Sequence, residues 1–395
     1  MKTTLLNIFK RITKYDKGIG IITNGEDNLY SERAERIILN SVTAKTSANI
    51  MASYISGKGL GETNNVVKVN KKGLTALKFS QIIAKNFSKQ RGVWIHVNYN
   101  ANFEPSQYTV LPYTHCRLGK KDDNDYNGKI LVSKEWETTK KLSEFKKDLI
   151  VIDVYNRDKK VIAKQIEKAG SIENYKGQIL YYNLDEEYDY ALSQIDSVMN
   201  DCDSEAQSSV YKNRSLRRGF FGKTLIITKP LAGALNDYET PELYAEALSE
   251  RKAFKSTIDD FIGAENNGGA LHVELEHDGD KFEDGIKIEN ISSDINDKLF
   301  EYTESSTFKN ILMAFNNIPT GLVRSDNALF SSSGEALQIM KETYQENTML
   351  ERDSLEQLLN ELLIGFNGIT DVTIEPLIEI KEEEKNTQTD DVPNN

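Results

Sequence analysis

Apolar residues after Asn28 recur at a helical spacing: Ala34, Ile37, Ile38, Ala44, Ala48, Met51 and Ile55 form one approximate stripe, with Ser31 placed to cap its start. The pattern predicts one helix that stops at the glycines of SGKGLG. A second stripe, Leu77, Ile82, Ile83 and Phe87, predicts a helix over about 74–88 that Gly92 ends. The period then changes. VWIHVNY from Val93, YTVLPY from Tyr108, KILVS from Lys129 and DLIVIDVY from Asp148 are short runs rich in β-branched and aromatic residues, separated by turn residues, and predict strands. This first region reads as α+β, two helices followed by a mostly antiparallel sheet.

From about Asp185 a polar helix is predicted as far as Arg218, carrying Tyr188, Leu192, Ile195 and Met199 but few apolar residues afterwards. A helix so weakly apolar needs neighbours or solvent on most sides. A compact unit follows, with the strand KTLIIT from Lys223, a helix over about 241–264, and the strands ALHVELE from Ala270 and IKIENI from Ile286. Thr240 as cap, Pro241 at the first helical position and Glu242 in the first turn mark the helix start. Its stripe of Leu243, Ala247, Phe254, Ile258 and Phe261 is expected to pack on the strands. Ser293 or Asp294 begins another helix, through Ile295, Leu299, Phe308, Leu312 and Phe315, which Pro319 ends. Beyond the loop PTGLVRSDNALFSS, Ser332 and Glu335 form a capping-box pair. Leu337, Met340, Tyr344, Leu355, Leu359 and Leu362 then predict the longest helix of the chain, a rod of roughly 45 Å that stops at Gly365. VTIEPLIEI from Val372 predicts an edge or irregular strand, because Pro376 interrupts it, and the polar KEEEKNTQTDDVPNN is expected to be disordered.

Composition narrows the picture. At 395 residues the chain exceeds the size at which a single core stops growing, so two or more modules are expected. No apolar run approaches the ~20 residues of a membrane span, and MKTTLLNIFKRITKYDKG makes a poor signal peptide, so the chain is expected to stay in the cytoplasm where it is made. Cys116 and Cys202 lie far apart without CxxC neighbours and predict neither a disulfide framework nor a zinc site. The net charge of -12 argues against a protein that grips nucleic acid tightly, since phosphate affinity comes from clustered Lys and Arg. It is compatible with DNA that must slide.

No motif supports catalysis. Gly222-Lys223-Thr224 lacks the upstream glycine of a phosphate loop, Arg217 standing there, and its context is reversed: a predicted helix precedes it and a strand follows. GIGIITNG from Gly18 and GKGLG from Gly57 read as turns. HVELEH from His272 reads as an exposed strand face, His96 and His115 lie on separate strands, and Asp185, Glu186 and Glu187 read as a solvated helix start. No catalytic, cofactor-binding or metal-ligating residue, and no cofactor, is expected.

The segment FKNILMAFNNIPTGLVRSDNALFSSSGEALQIMKETYQENTMLERDSLEQLLNELL, from Phe308 to Leu363, is similar to the second half of siphovirus-type portal proteins of tailed bacteriophages. There a helix ends in an aromatic-Asn-x-Pro type turn (here Phe315 to Pro319), a loop follows (Thr320 to Phe330), and a Ser-Gly-Glu-Ala start (Ser333 to Ala336) opens a long helix. DNLYSERAERIILNSVTAKTSANIMASYISGKGL from Asp27 resembles the first helix of that family. The order of units is also similar. The resemblance implies an α+β, portal-like fold with a sheet-containing wing (1–185), a first stem helix (186–221), a small α/β clip (222–290) and a second, antiparallel stem helix (291–317). A tunnel loop (318–332), a long C-terminal wing helix with a closing strand (333–381) and a tail (382–395) would complete it. Little chain after Gly365 is left for the helical crown that many portals carry.

The resemblance further implies a non-enzymatic ring of about twelve copies at one capsid vertex, through which DNA is packaged and ejected. The implied partners are other copies of the chain, double-stranded DNA held without sequence preference, the terminase packaging motor, the major capsid protein or scaffold, and a head–tail adaptor, with no membrane. The implied location is the virion, and the host cytoplasm during assembly. Thr320, Gly321, Arg324, Ser325 and Asn327 would contact DNA from the tunnel loop. Lys212, Arg214, Arg217 and Arg218 form a basic junction before the clip, placed to meet DNA phosphates or acidic neighbours. Two rival readings use the same residues: a cytoplasmic scaffold or adaptor unrelated to viruses, and a nucleic-acid-processing enzyme.

Overall fold

The computed structural model describes residues 13–119, 128–136, 142–217, 223–228, 238–261, 286–291, 297–324 and 334–378. The chain divides into two units, Met1–Asp203 with Thr307–Asn395, and Ser204–Ser306.

In the first unit β1 (Tyr15–Asp16) and β2 (Ile21–Ile22) form a small antiparallel pair. The main sheet contains β3 (Gly92–Tyr99), β4 (Pro105–Leu111), β5 (Cys116–Leu118), β6 (Lys129–Val132), β7 (Ile150–Val154) and β8 (Gln178–Asn183) in the order β4-β3-β8-β7-β6-β5. Only β7 and β8 run parallel within it, joined by the helix Lys159–Ala169. That helix, the helix Leu142–Asp148, β5 and β8 are not anticipated by the sequence pattern. In β3, successive side chains point to opposite faces. Val93, Ile95 and Val97 enter the large core with Phe79, Ile83, Phe87, Leu355 and Leu359, whereas Trp94 enters a smaller core with Tyr113, Cys116, Ile130, Ile179 and Tyr190. Coverage on both faces explains why β3 reads as a nearly unbroken apolar run.

The first stripe forms two helices, Tyr30–Asn40 and Val42–Ser56, rather than one. Ser41 is extended between them and its Oγ accepts the Ala44 N–H at 3.0 Å, so the capping serine is Ser41. Ser31 is buried inside the first helix with its hydroxyl on Glu32. At Gly57 (φ +53°) an added Cβ would lie 2.0 Å from the Glu375 carbonyl oxygen, because the C-terminal segment crosses there. Lys58 N–H donates to Glu375 O and Glu375 N–H to Gly59 O, each at 2.9 Å. This bridge is the β structure that VTIEPLIEI makes among the described residues.

The helix Ala76–Gln90 is capped by Thr75 and closes at Arg91, which takes a left-handed conformation, so Gly92 opens β3 instead of ending the helix. The expected C-terminal rod is broken into Gly334–Asn347 and Met349–Leu363. Between them the buried Thr348 hydroxyl donates back to Tyr344 O (3.1 Å) or Gln345 O (3.2 Å), competing with the helical ladder. The polar helix starts at Met199, not near Asp185. Residues 185–195 pack irregularly, with Asp185 accepting the Leu192 N–H and with Tyr190, Ala191 and Ile195 buried.

The second unit pairs β9 (Lys223–Thr228) antiparallel with β10 (Ile286–Ile291). It also holds the helix Pro241–Phe261, where Thr240 Oγ1 accepts the Leu243 N–H at 3.4 Å as the sequence predicts. Leu243 itself is exposed. The expected strand ALHVELE with its HVELEH face, Ser332, Ile295 and the tail KEEEKNTQTDDVPNN lie outside the described residues.

Candidate functional site

Two helices, Met199–Arg217 and Asp297–Ala314, flank the β9–β10 segment in sequence, and each passes from one unit into the other. The first is mostly polar. Cys202 is buried, but Val210 and Tyr211 are exposed. Within the first unit, Asn310 Nδ2 donates to the Asp201 carboxylate at 3.4 Å. Within the second, Glu304 receives the Ser208 hydroxyl at 3.2 Å and pairs with the Lys212 ammonium. The Lys212–Glu304 pair is about half exposed and contributes roughly 0–1 kcal/mol.

The lower end of the second helix is held firmly. Asn316 (φ 56°) and Asn317 (φ 53°) turn the chain back, and Ile318 N–H donates to Leu312 O at 3.1 Å. Three carbonyls at the turn find side-chain donors: Gln194 Nε2 to Ala314 O (2.7 Å), Tyr344 OH to Phe315 O (3.1 Å) and Asn347 Nδ2 to Asn316 O (3.2 Å). Asn316 Nδ2 in turn reaches Glu351 Oε1 at 3.1 Å. Glu351 faces Arg91 at 3.5 Å, and Arg91 also grips Asp185 through Nε (3.1 Å) and Nη2 (3.0 Å) and donates to Gln194 at 3.1 Å. This hub fixes where the helix leaves the core. Sequence reasoning missed Arg91, Gln194 and Glu351 and read Asp185 as solvated. The available signal was the Asn-Asn pair before Ile-Pro, two residues that tolerate a left-handed conformation.

After Pro319, residues Thr320–Val323 form a helical turn, closed by Arg324 N–H on Thr320 O at 2.9 Å. The loop expected from Thr320 is therefore helical over its first four residues, and Gly321 sits within that turn. Leu322 and Val323 hold the turn to the large core. Thr320 and Arg324 are exposed, and the Arg324 guanidinium stacks 5.3 Å over the Phe308 ring. Ser325, Asn327 and Arg218 lie outside the described residues, as do the side chains of Arg214 and Arg217.

Of the remaining sequence candidates, Gly222 lies outside the described residues, whereas Arg217 ends a helix and Lys223 opens a strand, the reverse of a phosphate-loop order. His96 Nε2 meets Lys176 O at 2.6 Å, a local structural contact. Among the described residues no group of three His, Cys, Asp or Glu side chains is placed to hold a metal ion, and no helix is long and apolar enough to cross a membrane.

The described architecture is mixed α+β, a sheet-and-helix unit interrupted by a smaller unit. No protein-family model and no curated protein matches the sequence. Solved structures do. A chain in the neck of a native gene transfer agent particle, computed with C12 symmetry, is 14% identical over 91% of this chain and 86% of that chain, with a TM-score of 0.41. A chain in the neck of an empty gene transfer agent particle is 13% identical over 84% of this chain and 81% of that one, TM-score 0.46. An HK97 family phage portal protein from Corynebacterium diphtheriae is 9% identical over 82% of this chain and 88% of its own, TM-score 0.39.

Proposed function

We propose that this chain is the portal subunit of a tailed phage or phage-like particle, a non-enzymatic ring through which double-stranded DNA enters and leaves the head. The observation that carries the reading is the exposed, polar helix that leads from the first unit into a separate second one. Along 203–213 the first helix leaves Asp203, Ser204, Gln207, Ser209, Val210 and Tyr211 exposed, too little burial for a helix that must be stable by itself. Copies arranged head to tail cover such faces by a heterologous contact that closes into a ring. The motifs from Asp27 and from Phe308, in their order along the chain, add to this reading.

On this reading the stem consists of 199–217 and 297–314, the wing of the sheet and its helices, and the clip of 222–290. The clip docks the terminase motor and the head–tail adaptor, while the wing meets the capsid protein or scaffold. The chain beyond Thr320–Arg324, with Ser325 and Asn327, touches passing DNA weakly, since one arginine beside Asp326 offers little net charge. Lys212, with Glu304 as its partner, serves the helix pair, and Arg214, Arg217 and Arg218 serve the entrance to the clip. No cofactor takes part. The ring acts in the virion and is assembled in the host cytoplasm.

A photo-crosslinking amino acid at Val210 tests the arrangement. Irradiation of the purified full chain should give a ladder of covalent multimers, because Val210 would face a neighbouring copy. Monomer bands alone, in protein that retains its fold, would defeat the reading.

A further inference from the structure

The overall charge of -12 conceals a strong local bias. From Thr63 to Phe103 the chain carries six lysines and one arginine and not a single Asp or Glu. The fold places part of this bias on one side of a helix and part on the turn that leads into it. Lys78, Lys85 and Lys89 are spaced seven and four residues apart on the helix Ala76–Gln90 and so share one side of it. The opposite side carries Phe79, Ile83 and Phe87, all fully buried. Lys68, Lys71 and Lys72 lie on the turn leading into the same helix, where Lys68 bridges Thr75.

That turn is rigid. Asn70 Oδ1 accepts the Lys72 and Leu74 N–H groups at 3.0 and 3.1 Å, and Val69 O accepts the Tyr108 N–H at 2.9 Å. Lys68, Lys71, Lys72, Lys78 and Lys85 are exposed, and none has an acid within ion-pair distance among the described residues. Elsewhere Lys129, Lys159 and Lys212 are each neutralised by a neighbouring carboxylate.

We propose that the turn and helix from Lys68 to Lys85 form a binding surface for the phosphate backbone of duplex DNA, separate from Thr320–Asn327 and independent of the ring. Lysine is a compact charge on a flexible stem, suited to phosphate without base readout. Lys78 and Lys85 stand ~10 Å apart along the helix axis, so each meets a different phosphate. An acidic protein face fits less well. Protein interfaces are poor in lysine and rich in aromatic residues, and the aromatic rings of this helix point inward.

The test uses the full chain and a fluorescent 30-base-pair duplex, with anisotropy followed against KCl concentration. Five phosphate contacts predict a slope of about -4.5 in log K against log salt. The variant K71Q/K72Q/K78Q/K85Q should bind at least tenfold more weakly at 0.1 M salt, with a slope shallower by about 3.6, and with unchanged thermal unfolding. The corresponding four Lys→Arg changes should restore binding. A wild-type chain that ignores the duplex at 50 mM salt overturns the proposal. So does a quadruple variant that binds like wild type, or one that loses self-assembly while each copy keeps its affinity for DNA, which would assign the surface to an acidic face of a second copy.

Discussion

Arg117, on β5, is fully buried and every guanidinium N–H has an acceptor. Nε donates to Asn28 Oδ1 (2.7 Å), Nη1 to Thr114 O (2.8 Å) and Cys116 O (2.9 Å), and Nη2 to Asn28 O (2.7 Å) and Glu32 Oε1 (2.6 Å). Its Cζ lies 5.0 Å from the centre of the Trp136 ring. The side chain thus ties the sheet edge to the start of the helix Tyr30–Asn40. Arg117→Ala removes the donors to three backbone carbonyls, the Asn28 side-chain carbonyl and one carboxylate. Glu32 retains 29% exposure and can rehydrate, which places the loss near the lower end of the roughly 3–5 kcal/mol seen when one partner of a buried ion pair is removed. Arg117→Lys keeps the charge but supplies three donors for five positions, so about 2 kcal/mol is expected. The chain has two tryptophans, Trp94 and Trp136, both in the first unit, so their fluorescence follows this unit during urea unfolding. With a slope of about 3 kcal/mol per molar urea, the Arg117→Ala midpoint should fall by ~1 M. A fall below ~0.3 M with unchanged Trp136 emission would refute the assigned role.

Gly57→Ala forces a side chain into a left-handed backbone and against the Glu375 carbonyl, so it should cost roughly 1–3 kcal/mol and free the segment near Val372 to limited proteolysis; an unchanged digestion pattern would count against the crossing. Burial pushes the Cys116 thiol up to about 12 from 9.0, with Arg117 opposing weakly, so labelling by iodoacetamide should stay slow from pH 7 to 9 in the folded chain. Because the folded state holds that proton more tightly, the associated stability is present below about pH 9 and declines as pH rises towards 12; alkaline urea titrations should show this sign. Removing residues 222–290 should leave the tryptophan-monitored transition in place while abolishing capture of the packaging motor; undiminished capture would exclude the clip as its dock.

Much of the architecture is legible in the sequence where local chemistry and tertiary packing agree. Thr240-Pro241-Glu242 starts a helix where expected, and the nearly unbroken apolar run of β3 matches its burial on both faces. The breaks at Ser41 and Thr348 were not legible, since each interrupts an apolar stripe that continues on both sides. At both positions a hydroxyl competes for backbone groups, a choice that depends on the burial around it. The stripe read through Tyr188, Leu192 and Ile195 misled for the opposite reason: Ile195 packs in the large core, the Leu192 N–H is held by Asp185, which Arg91 grips, and the neighbouring Tyr190 enters the smaller core, contacts set by residues distant in sequence. Around the candidate site, the turn at Asn316-Asn317 and Pro319 was readable, but the hub of Arg91, Asp185, Gln194 and Glu351 joins four separate stretches of chain. The lysine surface was legible as an acid-free run from Thr63 to Phe103, a signal that the total charge hides.

Assembly into a closed ring is tested most directly by the mass and outline of the purified full chain. Native mass spectrometry with negative-stain microscopy should find a species of roughly twelve 44.7 kDa copies, seen end-on as a ring with a central opening. A monomer or small open oligomer across micromolar concentrations and a range of salt would contradict the account and favour a scaffold or adaptor.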